Sequence, residues 1–165
     1  MAGKRVAGPI IVCNCRNHAF QHIGGAAVAM VSFPDRELLE DHAWHQHKPG
    51  REKSGRYAEC RRPRLYLHRL VAGKNCDHKN RNGLDNRREN LRPATASQQS
   101  ANKKRKPSKS GFKGVRLIKG RFRAQIKANN KHSHIGYYDT AEIAARAYDQ
   151  QARAEFGEFA VLNFP

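Results

Sequence analysis

The chain has 165 residues, enough for one ordinary domain or two very small ones, and a hydrophobic share of 38% against the about 45–50% usual for globular domains, so any core is small. Its formal net charge is +18, which calls for a polyanionic partner. No apolar stretch approaches the roughly 20 residues of a spanning helix, so the expected partner is a nucleic acid and not a membrane.

The charge is unevenly spread. Residues 1–60 hold eight basic and six acidic side chains, residues 61–102 ten and three, and residues 103–165 fourteen and five. In chain order, residues 1–26 read as an irregular leader, with a short apolar run at residues 9–13 followed by polar, Gly-rich sequence. Residues 26–31 form an apolar run that suits a strand. Pro34-Asp-Arg-Glu-Leu-Leu-Glu suits a short helix with Pro and Asp in its first turn, and Trp44 suits a core anchor. Residues 47–55 are a charged loop. Residues 64–71, Arg-Leu-Tyr-Leu-His-Arg-Leu-Val, alternate well enough for a half-buried strand, and residues 80–86 are turn-rich around Asn82-Gly83.

Thr95-Ala-Ser-Gln98 has capping-box spacing, which starts a helix near Ala96. Residues 103–110 are a basic linker. Beyond it the pattern predicts three strands over residues 114–117, 121–128 and 132–137, joined by tight turns at Lys119-Gly120 and Asn129-Asn130. Thr140 then caps an alanine-rich helix from Ala141 to about Phe156, whose small residues Ala144, Ala147 and Ala154 suit close packing on a sheet. Phe112, Phe122, Ile126, Tyr137, Tyr148 and Phe156 are the expected core.

Two motif sets carry the chemistry. The first runs through Leu67-His-Arg-Leu-Val, then Cys76-Asp-His-Lys, then Leu84-Asp-Asn-Arg-Arg-Glu-Asn-Leu-Arg, with twelve residues from His78 to Asn90 and nine more to Gln99. It resembles the HNH endonucleases of mobile elements and phages, from about residue 27 to residue 102. The resemblance implies a ββα-metal module in which His78 is the general base of phosphodiester hydrolysis, Asp77 binds a divalent ion, and Asn90 locks the loop and orients His78. His68 is implied as a support or a phosphate contact. Oxygen ligands point to Mg2+ or Mn2+. The second metal position, Asn or His in the family, is here Gln99, with the same amide oxygen on a side chain one methylene longer, so that activity either survives with weakened metal affinity or is lost.

The second set covers residues 111–165: Gly111-Phe-Lys-Gly-Val-Arg, Gly120-Arg-Phe-Arg-Ala-Gln-Ile, Ile135-Gly-Tyr-Tyr-Asp-Thr, Ala144-Ala-Arg-Ala-Tyr-Asp and Leu162-Asn-Phe-Pro. Together these resemble the Apetala-two/ethylene-response-factor domain. That resemblance implies a three-stranded antiparallel sheet in the major groove with a helix packed behind it. The matching DNA-facing positions are Lys113, Arg116, Arg121, Lys127, His132 and His134, with Arg123 added because it shares a strand face with Arg121. Plant members often carry Trp where this chain has Ile118 or Lys119 and His134.

The expectation is therefore an α+β protein of two modules: a homing-type, metal-dependent endonuclease that nicks as a monomer, and a DNA reader. A non-catalytic DNA-binding regulator on the same scaffold is the competing expectation, favoured by Gln99 and by a short loop before Asp77. Cys13, Cys15, Cys60 and Cys76 are expected to be reduced thiols of an intracellular chain, since no signal-like apolar core follows Met1. Cys13-Asn-Cys15 with His18 and His22 lacks standard zinc-finger spacing and is set aside as a metal site. His42, His45 and His47 are expected on a surface.

Overall fold

The structure is a computed structural model that describes residues 8–47, 56–104 and 109–165. By compactness the chain divides into Met1–Pro93 and Ala94–Pro165. The architecture is α+β, with several small sheets and few helices.

In the first unit, β1 (Ile10–Val12) and β2 (His18–His22) form an antiparallel hairpin, and β3 (Val28–Ser32) pairs with β2. The described part of the leader is thus ordered as strands, which corrects the irregular reading of residues 1–26. The strand signal there is weak because the inward side of β2 is Ala19 and Gln21, a small and a polar residue. Gln21 is tolerated inside because its Nε2 donates to the Gly8 carbonyl at 3.2 Å.

A single 3-10 turn, Phe33–Asp35, and α1 (Glu37–Glu40) follow β3, as the Pro-Asp start predicts. Trp44 is buried, and its Nε1 donates to the Leu38 carbonyl at 2.7 Å. Next come β4 (His45–Gln46), β5 (Ala58–Arg61) and β6 (Arg64–Tyr66), which form one small antiparallel sheet. Most of the expected loop over residues 47–55 lies outside the described residues.

The strand expected over residues 64–71 stops at Tyr66, and α2 (Leu67–Ala72) takes over. Leu67, Leu70 and Val71 are spaced as a helix face, and that period wins because Leu67 is fully buried and Val71 packs on the same core. His68 therefore stands on a helix, which corrects its placement on a strand. Gly73 ends the helix with φ 84°, in the left-handed region that suits glycine.

After α2 come β7 (Cys76–His78), β8 (Asp85–Asn86) and β9 (Leu91–Pro93). β7 pairs antiparallel with β9, and β8 joins β3 in parallel to give the sheet order β1-β2-β3-β8. The core of this unit is Ala19, Ile23, Ala27, Ala29, Val31, Leu39, Trp44, Ala58, Cys60 and Leu67.

In the second unit, Thr95 caps α3 (Ala96–Ala101) with the full capping box, its side chain accepting from Gln98 N while Gln98 Oε1 accepts from Thr95 N. Ala94 and Ala101 share a buried cluster with Tyr148, Phe156 and Phe159, which draws α3 into this unit. Of the expected linker, residues 105–108 lie outside the described residues. The strands β10 (Val115–Ile118), β11 (Arg121–Ala128) and β12 (Lys131–Tyr138) form an antiparallel sheet in that order. Positive φ at Lys119 and Gly120, and at Asn129 and Asn130, gives both hairpins the turns whose twist matches the strands.

Thr140 caps α4 (Ala141–Phe156) by accepting from Ile143 N at 3.3 Å. Ala144, Ala145, Tyr148, Ala152 and Phe156 are its buried apolar residues, whereas Ala154, expected against the sheet, is exposed. Tyr137, expected in the core, is 44% exposed.

Candidate functional site

β7 and β9 frame the loop that carries the first motif set, and side-chain amides hold that loop together. Asn90 Nδ2 donates to the Asp85 carbonyl at 2.7 Å and to Asn80 Oδ1 at 3.0 Å, while its Oδ1 accepts from Asn80 N at 3.0 Å. Lys79 N adds a bond to the Asn90 carbonyl at 2.8 Å. Arg87 grips the Asp85 carboxylate through Nε and Nη2, each at 2.8 Å. Burial pushes the Asp85 carboxyl up, but the Arg87 fork and Asn80 more than reverse this and leave it lowered. Arg88 makes a second fork to the buried Asp35, at 2.8 and 2.6 Å, and its backbone N–H donates to Ser32 Oγ. The loop is fastened to the end of β3 as well as to itself.

His78 is buried and contacts Asn86 Oδ1 through Nε2 at 3.2 Å. Asn86 Nδ2 donates to the Leu84 carbonyl, which turns the amide oxygen toward the ring. An acceptor at that position requires a proton on Nε2, so the basic lone pair resides on Nδ1. Burial lowers the His78 pKa, and the Asn86 bond and the charges of Asp77 and Asp85 only partly offset it. The imidazole is therefore neutral at neutral pH, the state that can accept a proton.

Asp77 lies beside it on β7, and its carboxylate is met by Arg92 of β9, Nη2 to Oδ2 at 3.1 Å, in a pair whose side chains are 12% and 8% exposed. His68 reaches the same neighbourhood from α2, its ring centroid 5.3 Å from that of His78 and 5.1 Å from that of Tyr57. Burial, then the neighbouring His78 and Arg69, push the His68 pKa down to about 3. Gln99 stands half-buried on α3, in the second unit, with Nε2 donating to the Ala94 carbonyl at 3.4 Å.

The structure thus brings His68, Asp77, His78 and Asn90 into one neighbourhood of the first unit. Sequence reasoning missed Asn86, Tyr57 and Arg92. Asn86 belongs to the quoted motif but looks like one more amide in a run of them. Gly83 packs so closely on Tyr57 that a Cβ would overlap the ring, a closeness no local pattern signals.

In the second unit, cross-strand register groups the basic residues. Arg116 faces Arg123, Arg123 faces Tyr137, Gln125 faces His134, and Lys127 faces His132. These side chains and Arg121 alternate with Phe122, Ala124 and Ile126, which turn inward toward the cores beside α4. Arg116, Arg121, Arg123, Lys127, His132 and His134 therefore share the outer face of the sheet. Lys113 does not join them: its Nζ donates to the carbonyls of Ala101 and Val161, at 2.7 and 3.2 Å. Tyr137 is the addition sequence reasoning missed, its ring 4.9 Å from that of His134.

Two other expectations change. Cys13 and Cys15 are joined as a disulfide, whereas Cys60 and Cys76 are buried free thiols. His45 and His47 are half-buried and both pair with the buried Glu59 carboxylate, at 3.8 and 2.6 Å. Among the described residues, no helix is long and apolar enough to cross a membrane.

No family model matches the chain. An uncharacterized HNH endonuclease of Acanthamoeba polyphaga mimivirus is 32% identical over 146 residues, covering 85% of this chain and 76% of that protein. Dehydration-responsive element-binding protein 2A of Arabidopsis thaliana is 44% identical over 61 residues, which are 35% of this chain and 18% of that protein. Ethylene-responsive transcription factor 3 of Nicotiana tabacum is 49% identical over 57 residues, 33% of this chain and 25% of that protein. The chain therefore spans a quarter or less of these two plant proteins, in a segment about the size of the unit built from β10–β12 and α4. Over most of its own length and that of its viral relative, the chain belongs to the HNH endonuclease family.

Proposed function

We propose that this chain is a divalent-metal-dependent DNA endonuclease of homing type, which nicks DNA from one site per chain and reads its target with the outer face of the second-unit sheet. The observation that carries the reading is His78: buried, neutral, fixed by Asn86 and set in a loop that Asn90 locks. Nδ1 of His78 takes the proton of the attacking water as its oxygen adds to phosphorus, and the bond from phosphorus to the leaving oxygen breaks, the released alkoxide taking a proton from solvent. Asn86 and the loop behind it hold the ring so that little reorganisation is needed during transfer. The donor chemistry suits a hard cation, for which Asp77 would supply a carboxylate oxygen. Such an ion, Mg2+ or Mn2+, supplies charge neutralisation at the phosphate and the leaving oxygen. His68 is neutral across physiological pH and supports the His78 ring.

For the reader, Arg116, Arg121, Arg123, Lys127, His132 and His134 present cationic and hydrogen-bonding groups at alternate positions on one sheet face, the arrangement a β-sheet needs to meet base edges and phosphates in the major groove. Double-stranded DNA is the partner this face fits. Lys113 is left to anchor the chain that leads into β10.

Incubation with supercoiled plasmid and added Mg2+ or Mn2+ is expected to give the open-circular form. His78→Ala should lower the rate about 10²–10⁴-fold while DNA binding is retained. Equal rates for the two proteins would remove His78 from the chemistry. One observation favours a second reading, a DNA-binding regulator without nuclease activity: the guanidinium of Arg92 already occupies the Asp77 carboxylate. Sequence-selective binding with no metal-dependent nicking at any ion concentration would establish that reading instead.

A further inference from the structure

We propose that Cys13, Cys15 and His18 form a zinc site at the tip of the β1–β2 hairpin, separate from the nuclease centre. The two Sγ atoms and one ring nitrogen of His18 all lie within 4.8 Å of one another. His18 Nδ1 is the nitrogen turned toward the sulfurs, 3.9 Å from Cys15 Sγ. Zinc bonds of about 2.3 Å to sulfur and 2.0 Å to nitrogen, in tetrahedral array, need donors spaced roughly 3.5 Å apart, so once the Cys13–Cys15 bond is reduced the two sulfurs move apart from bonding distance while His18 Nδ1 closes slightly on them. Two thiolates with one imidazole form a donor set that selects zinc over Mg2+ or Mn2+. His22, the fourth residue of the sequence pattern, is exposed further along β2 and falls outside the set.

The surroundings are built for a ligand. The turn is closed by Arg16 N to the Cys13 carbonyl at 2.8 Å and by Cys13 N to the His18 carbonyl at 3.1 Å. The Cys13–Cys15 disulfide spans two positions inside this already closed turn, so it links no separate elements and adds little to the fold. The other nitrogen of His18, Nε2, faces the Glu89 carboxylate at 3.7 Å. A carboxylate on the far nitrogen of a metal-bound histidine fixes its tautomer and raises its basicity, and Glu89 is placed to do both. Arg87 pairs with Glu89 at 2.8 Å and with Asp85 at 2.8 Å, so a metal on His18 would brace the same loop that holds His78.

The test uses the full chain reduced with a water-soluble phosphine, then freed of it without air. The phosphine becomes its oxide with oxygen from water, and each sulfur gains a proton that it releases again on binding metal. Co2+ is the optical probe and Zn2+ its competitor. One equivalent of Co2+ should give tetrahedral d–d bands with a thiolate charge-transfer band, and Zn2+ should abolish both. The charge-transfer band should vanish in the Cys13→Ser/Cys15→Ser double variant. Affinity should fall about 10–100-fold in Glu89→Gln and further in His18→Ala, and stay unchanged in His22→Ala. In the wild type, Zn2+ should slow alkylation of Cys13 and Cys15, read peptide by peptide, which needs no variant to fold. Absence of a thiolate band in the reduced wild type overturns the proposal. So does its persistence without both cysteines, loss of binding in His22→Ala, or no protection of Cys13 and Cys15 by zinc.

Discussion

Two influences compete at His78. Burial strips away water that would hydrate an imidazolium, while the Asn86 bond and the carboxylates of Asp77 and Asp85 favour the proton, and burial wins. The single-turnover nicking rate is therefore expected to rise with pH on one proton and to level off with a midpoint below 6.5. Asn86→Ala should move that midpoint lower still, because the bond it removes raises the pKa. A midpoint above 6.5 in the wild type would count against His78 as the base. The same groups link stability to pH. His68 and His78 have lowered pKa values in the folded chain, so below about 6.5 the unfolded chain binds more protons and stability falls as pH falls. Each group contributes up to about 1.4 kcal/mol per pH unit within its window, and for His68 that window extends down to about pH 3. Urea midpoints measured from pH 7 to pH 5 should decline, and His68→Gln should flatten the decline.

Asn90 makes three of the side-chain hydrogen bonds that hold the loop between β7 and β9. Asn90 has both side-chain atoms engaged, so Asn90→Ala leaves Asn80 N and the Asp85 carbonyl without those partners. The expected cost is about 2–3 kcal/mol, seen as a lower urea midpoint at unchanged slope, together with slower nicking because the ring is less well held. The expectation that Asn90 ties this loop came from the resemblance to HNH endonucleases, carried by Asp77-His78 and Asn90-Leu91-Arg92, and not from any local pattern around Asn90 itself. The second unit was legible strand by strand, since Asn129-Asn130, Lys119-Gly120 and Thr140 are local signals that tertiary packing did not override. The β1–β2 hairpin was not, because Ile11 and Val12 are exposed and the inward residues of β2 are Ala19 and Gln21, so neither strand shows apolar alternation. The helix α2 was misread because Leu65 and Leu67 fit a period of two as well as Leu67 and Val71 fit a helix, and only the core around Leu67 decides between them. Arg92 on Asp77 lay beyond local reasoning altogether: fifteen residues part them, and β-pairing brings them together.

At the scale of the whole molecule, the charge partition and the fold make separate claims about binding. Phosphate neutralisation releases counterions regardless of sequence, whereas base contacts discriminate, so the two can be pulled apart by salt and by target. Arg116 is exposed on the outer face of the sheet, which leaves its guanidinium available for a bidentate bond to guanine. Arg121 shares its guanidinium with Asp139 at 3.3 Å and with the Tyr137 carbonyl at 3.3 Å, so less of it is available. Arg116→Ala is therefore expected to cost about 1–3 kcal/mol on a preferred duplex and much less on random DNA. Replacing Lys103 and Lys104 by Ala should weaken both duplexes alike and lower the slope of log affinity against log salt by about 0.9 for each phosphate that the variant no longer neutralises. The measurement is a salt series on a duplex obtained by selection from random sequence, run beside an unselected one. If Arg116→Ala weakened both duplexes equally while the lysine changes erased the preference, selectivity would belong to the segment before β10 and not to the sheet.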